Sequence, residues 1–262
     1  MNLAELTDLA ARQIPRSDGM ESQYVRPLRN LGVFRQHWPS SFEASIYEPV
    51  ICLILQGRKE MVLGGNSFPM RVGECLLISH DLPVTARVTK TPYLALLFDV
   101  ELDTLRDLNE AMAAPVSRAA EARSLAVHRC DDKLLDALHR YLGLAGAETD
   151  AAVLGPLISR ELHYRLATAP FGGMLRDLIR HDSHASAIAR AIAQLRRDFR
   201  SPVEIPELAR SVGMSPCISQ TFQGDHGVVT ASVSKGAAAA RGAPSAAWGL
   251  AFRYRSGLRS RV

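Results

Sequence analysis

The alternation of apolar and polar positions has two different periods along the chain. Residues 33–99 carry short runs rich in Val, Ile, Leu and Phe, broken by turn residues, as in "EASIYEPVICLILQGRKEMVLGGNSFPMRVGECLLIS", which is the pattern of β-strands. "VICLILQG" predicts a buried strand, and "GRKEMVLGGNSFPMRVGECLLISH" a meander with a hairpin turn at Gly64-Gly65-Asn66 and a second turn at Gly73-Glu74. "PVTARVTKTPYLALLFDV" adds two more strands around a break at Thr91-Pro92. Strands following one another without helices predict a small barrel or jelly-roll sandwich.

From Asp103 to about Arg180 the period is helical, with apolar residues at Leu134, Leu135, Leu138, Tyr141 and Leu142, then at Leu154, Leu157, Ile158, Leu162 and Leu166. Two amphipathic helices separated by a linker over residues 143–150 follow, and the pattern fits packing on the β domain as well as it fits a dimer interface. A third helical pattern over residues 186–199 sets Ile188, Ile192, Leu195 and Phe199 on one face and Arg190, Arg196 and Arg197 on the other. No internal repeat is visible.

Composition narrows the class. With 47% hydrophobic and 22% charged residues over 262 positions, the chain is globular and long enough for two domains. Its apolar runs are too short to span a bilayer, and "MNLAELTDLAARQI" is an acid-bearing amphipathic pattern without a signal-peptide core. These features predict a cytoplasmic protein with no membrane partner. Cys52, Cys75, Cys130 and Cys217 show no metal-ligand spacing and read as reduced thiols. The net charge of +4 is concentrated at the end of the chain. Residues 217–262 hold Lys235, Arg241, Arg253, Arg255, Arg259 and Arg261 against Asp225 alone, so the remainder is close to neutral and says little about nucleic acid.

"SPVEIPELARSVGMSP" has a more specific logic. A short helix ends near Val212, Ala209 is small enough for a second helix to cross closely, and Gly213 permits a tight turn. Ser215 then caps the next helix with Pro216 at its first position. An ordinary helical hairpin does not need Ala, Gly and a capping Ser at those spacings; a DNA-binding helix-turn-helix does.

"YEPVICLILQGRKEMVLGG", "GECLLISHDLPVTARV" and "PYLALLFDVELDTL" resemble the N-terminal regulatory domain of AraC-type bacterial transcription regulators. "IARAIAQLRRDFRSPVEIPELARSVGMSP" resembles the start of the DNA-binding domain of the same family, so the resemblance covers about residues 20–216. It implies a cupin-like domain that senses a small molecule and forms a homodimer, joined to helix-turn-helix units that enter the major groove. Carried over, Glu207, Leu208, Ala209, Gly213, Met214 and Ser215 frame the first unit.

Beyond Pro216 the chain departs from that pattern. "CISQTFQGDHGVV" contains Gly224 and Gly227 and, besides His226, no basic residue, and "ASVSKGAAAARGAPSAAWGL" offers no apolar stripe to dock. Ile218 to His226 can be encoded ATT TCA CAA ACA TTT CAA GGC GAT CAC. Read from the second base, this gives Phe-His-Lys-His-Phe-Lys-Ala-Ile, which is family-like. Residues 217–262 are therefore read as an out-of-frame, disordered tail, produced by a change of frame in codon 217.

The overall expectation is an α+β protein. Residues 1–105 form a cupin-like sensing domain, 106–182 a helical linker and dimerisation segment, and 183–216 the start of an incomplete, all-α helix-turn-helix domain. Its function is small-molecule-responsive, DNA-binding transcription regulation; the alternative is a sensing and dimerisation module whose DNA-binding part is defective. Arg196, Arg197 and Arg210, with the amides after Ser215, would anchor phosphates, and Ser219, Gln220 and Gln223 would face bases. The effector would lie among alternate residues of strands 50–55, 75–79 and 94–98. His80-Asp81, with His37 near the start of the β region, is the one metal candidate, and it reads better as a turn. No metal, cofactor or catalytic residue is expected; a metal-dependent cupin enzyme is the weakest reading.

Overall fold

The structure is a computed structural model that describes residues 3–15, 22–63, 65–79, 82–112 and 125–179, together with 190, 191 and 194. Helix α1 (Leu3–Gln13) leads into β1 (Gln23–Leu28), β2 (Leu31–Gln36), β3 (Glu43–Tyr47), β4 (Val50–Leu63), β5 (Asn66–Met70), β6 (Glu74–Ile78) and β7 (Leu82–Asp99). There follow α2 (Leu102–Ala111), β8 (Leu125–Arg129), α3 (Asp132–Leu142), α4 (Glu148–Thr168) and α5 (Gly172–Ile179). The class is α+β with a cupin-like β domain, as the sequence predicts. The helix-turn-helix region and the tail lie outside the described residues.

All strand pairs are antiparallel, and the two longest strands organise them. β4 and β7 pair from Val50↔Asp99 to Val62↔Thr85, with the register shifting between Ile54 and Lys59. On one side of that shift they are flanked by β6 and β2, with β8 and β1 beyond; on the other side by β5 and β3. The sheet thus bends into two layers that share two strands. Gly57 makes the bend possible: its φ is +78°, and a Cβ there would collide with the carbonyl oxygens of Lys90 and Pro92.

The bend changes which residues face inward. Before it, Val50, Cys52 and Ile54 of β4 belong to the cluster between the layers; after it, Met61 and Leu63 do. β7 reverses at the same place, from Val84, Ala86 and Val88 to Tyr93, Ala95 and Leu97. The intervening residues of the larger layer, Ile51, Leu53, Leu55, Cys75, Leu77, Leu94, Leu96 and Phe98, form a second cluster with the helices. That layer is covered on both faces, so its strands read as unbroken apolar runs. The smaller layer faces water on its outer side, where Glu60 pairs with Arg87 at 2.7 Å and accepts a hydrogen bond from Ser67.

The helices pack on the larger layer through Leu6 and Ala10 of α1, Leu134, Leu138 and Tyr141 of α3, Leu162 and Leu166 of α4, and Leu175 of α5. Asp131 caps α3 by accepting from the Leu134 amide at 2.9 Å. Arg140 joins α3 to α4 through Glu161 at 2.7 Å. His163, fully buried on α4, accepts from the Glu101 amide at 2.8 Å through Nε2, which places its proton on Nδ1, 2.7 Å from the Ser159 carbonyl. This ring ties α4 to the end of β7.

Several expectations are corrected. The sheet begins at Gln23, ten residues before the expected start, because Pro27 in β1 obscured an edge strand whose register shifts between Val25 and Leu28. β7 is a single strand that changes partners at Thr91-Pro92 rather than two strands. β8 lies inside the stretch read as helical, at the sheet edge beside β6. The linker expected over residues 143–150 is shorter, since α4 starts at Glu148. Leu154 and Leu157 are exposed rather than part of the buried stripe of α4, which runs instead through Gly155, Ser159, Leu162, His163 and Leu166. Both stripes contain apolar residues, and periodicity alone merged them.

Two consequences are measurable. Gly57→Ala should lower the unfolding free energy by about 3 kcal/mol, since a side chain must be forced into a positive-φ site closed by two carbonyls; urea denaturation checks this, and a loss under about 0.5 kcal/mol would contradict it. Burial holds the His163 pKa below its ordinary value, outweighing the Ser159 hydrogen bond and the charge of Glu101. The folded chain therefore takes up this proton later than the unfolded chain as pH falls. Stability from the neutral ring is complete above about pH 6.5 and declines below it. Wild-type stability should fall more steeply from pH 6.5 downward than that of His163→Gln; parallel profiles would contradict the assignment.

Candidate functional site

The core between the two layers is apolar, and the half-buried side chain of Lys59 lies on its inner face. Lys59 pairs directly with Val88 on β7 and with Met70 on β5, both of which belong to the interior cluster. Directly paired residues share a face of the sheet, so Lys59 lies in an apolar row on the inner side. The change of parity at Gly57 put it there; without the bend the alternation would turn Lys59 outward and Glu60 inward.

Lys59 Nζ donates to the Tyr47 hydroxyl at 2.6 Å. Tyr47 pairs with Leu82, on the same face of β3 as Ser45 and Glu43. Cys52 and Tyr93, each 1% exposed, lie deeper and are hydrogen-bonded to each other, and Phe34 meets the Tyr93 ring edge-on at 6.0 Å. Burial pushes the Cys52 thiol up, against smaller opposing effects of Lys59 and Tyr93, so the sulfur is a neutral thiol. Burial also opposes the charge on Lys59, but Tyr47, Cys52 and Glu43 together outweigh it and the ammonium is held above its ordinary range. The arrangement is a half-buried ammonium hydrogen-bonded to a phenol beside an apolar row of the inner face.

Of the strand residues expected to line this space, Val50, Cys52, Ile54, Leu76, Ile78, Ala95 and Leu97 do so, whereas their alternates pack under the helices. His37 is exposed beside Trp38, and His80 and Asp81 lie outside the described residues. No cluster of His, Cys, Asp or Glu suited to a metal occurs among the described residues. Cys75 and Cys130 are buried thiols under the helices; burial, then the hydrogen bond between them, raises the pKa of Cys75. Lys59, Tyr47 and Tyr93 were missed from sequence. Their signal was Gly57 at the end of the apolar run, with Lys59 two residues before Met61.

On the opposite side of the domain, α4 carries Val153, Leu154, Leu157 and Tyr164 on its outer face, with Val153 63% and Leu157 64% exposed. The expected nucleic-acid contacts Arg196, Arg197, Arg210, Ser215, Ser219, Gln220 and Gln223, and the framework Glu207, Leu208, Ala209, Gly213 and Met214, lie outside the described residues. Among those described, no helix is long and apolar enough to cross a membrane.

A family model for the AraC-type transcriptional regulator N-terminus matches residues 27–174. Among solved structures, an apo variant of ToxT from Vibrio cholerae strain SCE256 superposes with a TM-score of 0.51 at 8% identity, over 79% of this chain and 76% of that one. Wild-type ToxT from the same strain with an unsaturated fatty acid bound gives 0.52 at 8% identity, over 81% and 76%. At such identity the likeness is one of fold. No curated protein matches the chain in sequence.

Lys59 is half-buried and makes one hydrogen bond, to Tyr47, so an apolar side chain of similar length can take its place in the row with Met70 and Val88. Lys59→Met should therefore leave the unfolding free energy within about 1 kcal/mol of wild type or raise it. A loss above about 2 kcal/mol in urea denaturation would make Lys59 a structural residue.

Proposed function

The chain belongs to the AraC-type transcriptional regulators by its N-terminal domain, and from that premise we propose a homodimeric, DNA-binding transcription regulator that responds to a small molecule held between the two β layers. The observation that carries the sensing part is the Lys59–Tyr47 pair, a half-buried charged group on the inner face beside Met70 and Val88, where packing alone would place an aliphatic one. That ToxT, of like fold, has been crystallised with an unsaturated fatty acid supports a ligand-holding domain. Support for the dimer comes from the outer face of α4, whose Val153, Leu154, Leu157 and Tyr164 form an apolar strip at helical spacing. Two copies would pair along it.

In this reading residues 1–105 sense, 106–182 dimerise and 183–216 open the DNA-binding domain. Arg196, Arg197 and Arg210 hold phosphates, and Ser219, Gln220 and Gln223 face the bases. The departure of the sequence after Pro216 favours a second reading, in which this chain senses and dimerises but reads no operator.

Selection of genomic DNA fragments by the full-length protein distinguishes the two, with Leu157→Asp run beside it. The first reading predicts a recurrent motif recovered by the wild type and recovered poorly by Leu157→Asp, which sediments as a monomer. Salt-sensitive retention of unrelated fragments by a dimeric protein supports the second. A wild type that is monomeric at every concentration overturns the assignment of the α4 face.

A further inference from the structure

The polar groups between the layers are unbalanced. The Lys59 ammonium has three N–H donors and one goes to Tyr47. Tyr47 accepts that bond and keeps its own proton to donate elsewhere. Glu43 lies on the same face of β3 but forms no ion pair with Lys59. Lys59 and Tyr47, both half-buried, thus present donors side by side, with Met70 and Val88 paired to Lys59 and Met61 and Phe68 next along the same apolar face.

An ammonium and a phenol O–H presented side by side suit an oxyanion. One lysine in apolar walls balances one negative charge rather than two, and the walls call for an apolar body on the molecule that carries it. A covalent imine is disfavoured, because it needs a neutral amine and the surroundings of Lys59 favour the protonated one.

We propose that the effector is a monocarboxylic acid with an apolar body, its carboxylate bound by Lys59 Nζ and the Tyr47 hydroxyl and its body lying between the layers against Met61, Met70 and Phe68. This rests on the small-molecule reading above and names the chemical class for the same site. Lys59 then has a counter-ion only when the effector is present.

Calorimetric titration of the full-length protein with phenylbutyrate, phenylbutanol and phenylbutylamine, three ligands sharing one apolar body, tests it. The carboxylate should bind about tenfold or more tightly than the alcohol, and the amine more weakly than either. Lys59→Met should reduce carboxylate binding to the level of the alcohol while leaving the alcohol unchanged. Tyr47→Phe should weaken the carboxylate by about threefold to tenfold, and it serves as an independent check should Lys59→Met fail to fold. Equal binding of alcohol and carboxylate to the wild type overturns the anion proposal and leaves the sensing reading standing. So does carboxylate binding that neither substitution weakens, with Lys59 then simply solvated. If none of the three binds, the proposal falls, and thermal-shift screening of the wild type against neutral and cationic small molecules decides the sensing reading separately.

Discussion

β4 and β7 stay paired through a bend in which both reverse the parity of their inward residues, β4 at Gly57 and β7 at Thr91-Pro92. Two layers, an apolar core between them and a helix-bearing outer surface all follow from that shared bend. A straight pair would give one flat sheet, with Glu60 turned to the inner face and Lys59 to the outer one. The positive φ of Gly57 and the closeness of the Lys90 and Pro92 carbonyls leave no room for another residue at the corner. A local backbone requirement at one glycine thus decides the chemistry of the interior.

The same two strands connect the inside of the domain with its outside. β7 supplies Tyr93 to the polar cluster and ends at Asp99, which holds Arg26 of β1 at 2.7 Å. Two residues further on, the Glu101 amide is bound by His163 of α4. The helix with the exposed apolar strip is therefore fastened to the strand that lines the chamber, through a buried neutral imidazole. His163 is a structural residue by its contacts, with both ring nitrogens used and the Phe98 ring 5.1 Å away.

The sequence disclosed the features that depend on short-range order. Gly65, at φ +83° beside the pair Leu63↔Asn66, and Gly73, at φ +84° before β6, are turns that residue type alone predicts. The continuous apolar runs "VICLIL" and "LALLF" marked strands buried on both faces, and α3 was legible because its apolar residues form one stripe. What escaped depends on tertiary context. β1 is an edge strand that contains Pro27 and pairs irregularly with the adjacent β2, and β8 is a short edge strand whose partner β6 lies far back along the chain. α4 has apolar residues on two faces, and only the packed structure decides that Leu162 and Leu166 are covered while Val153 and Leu157 are not. Lys59 was invisible as an interior residue because the bend resets the alternation by which a strand is read.

The central claim is that Lys59 stands between the layers. Competitive acetylation of the native full-length protein, with the rate followed at each lysine by mass spectrometry, tests it most directly, since Lys90 and Lys133 are exposed and serve as internal references. A half-buried ammonium hydrogen-bonded to Tyr47 and held in its protonated form predicts that Lys59 reacts well after both of them. Acetylation of Lys59 at the rate of Lys90 would place its side chain in open water and contradict the account.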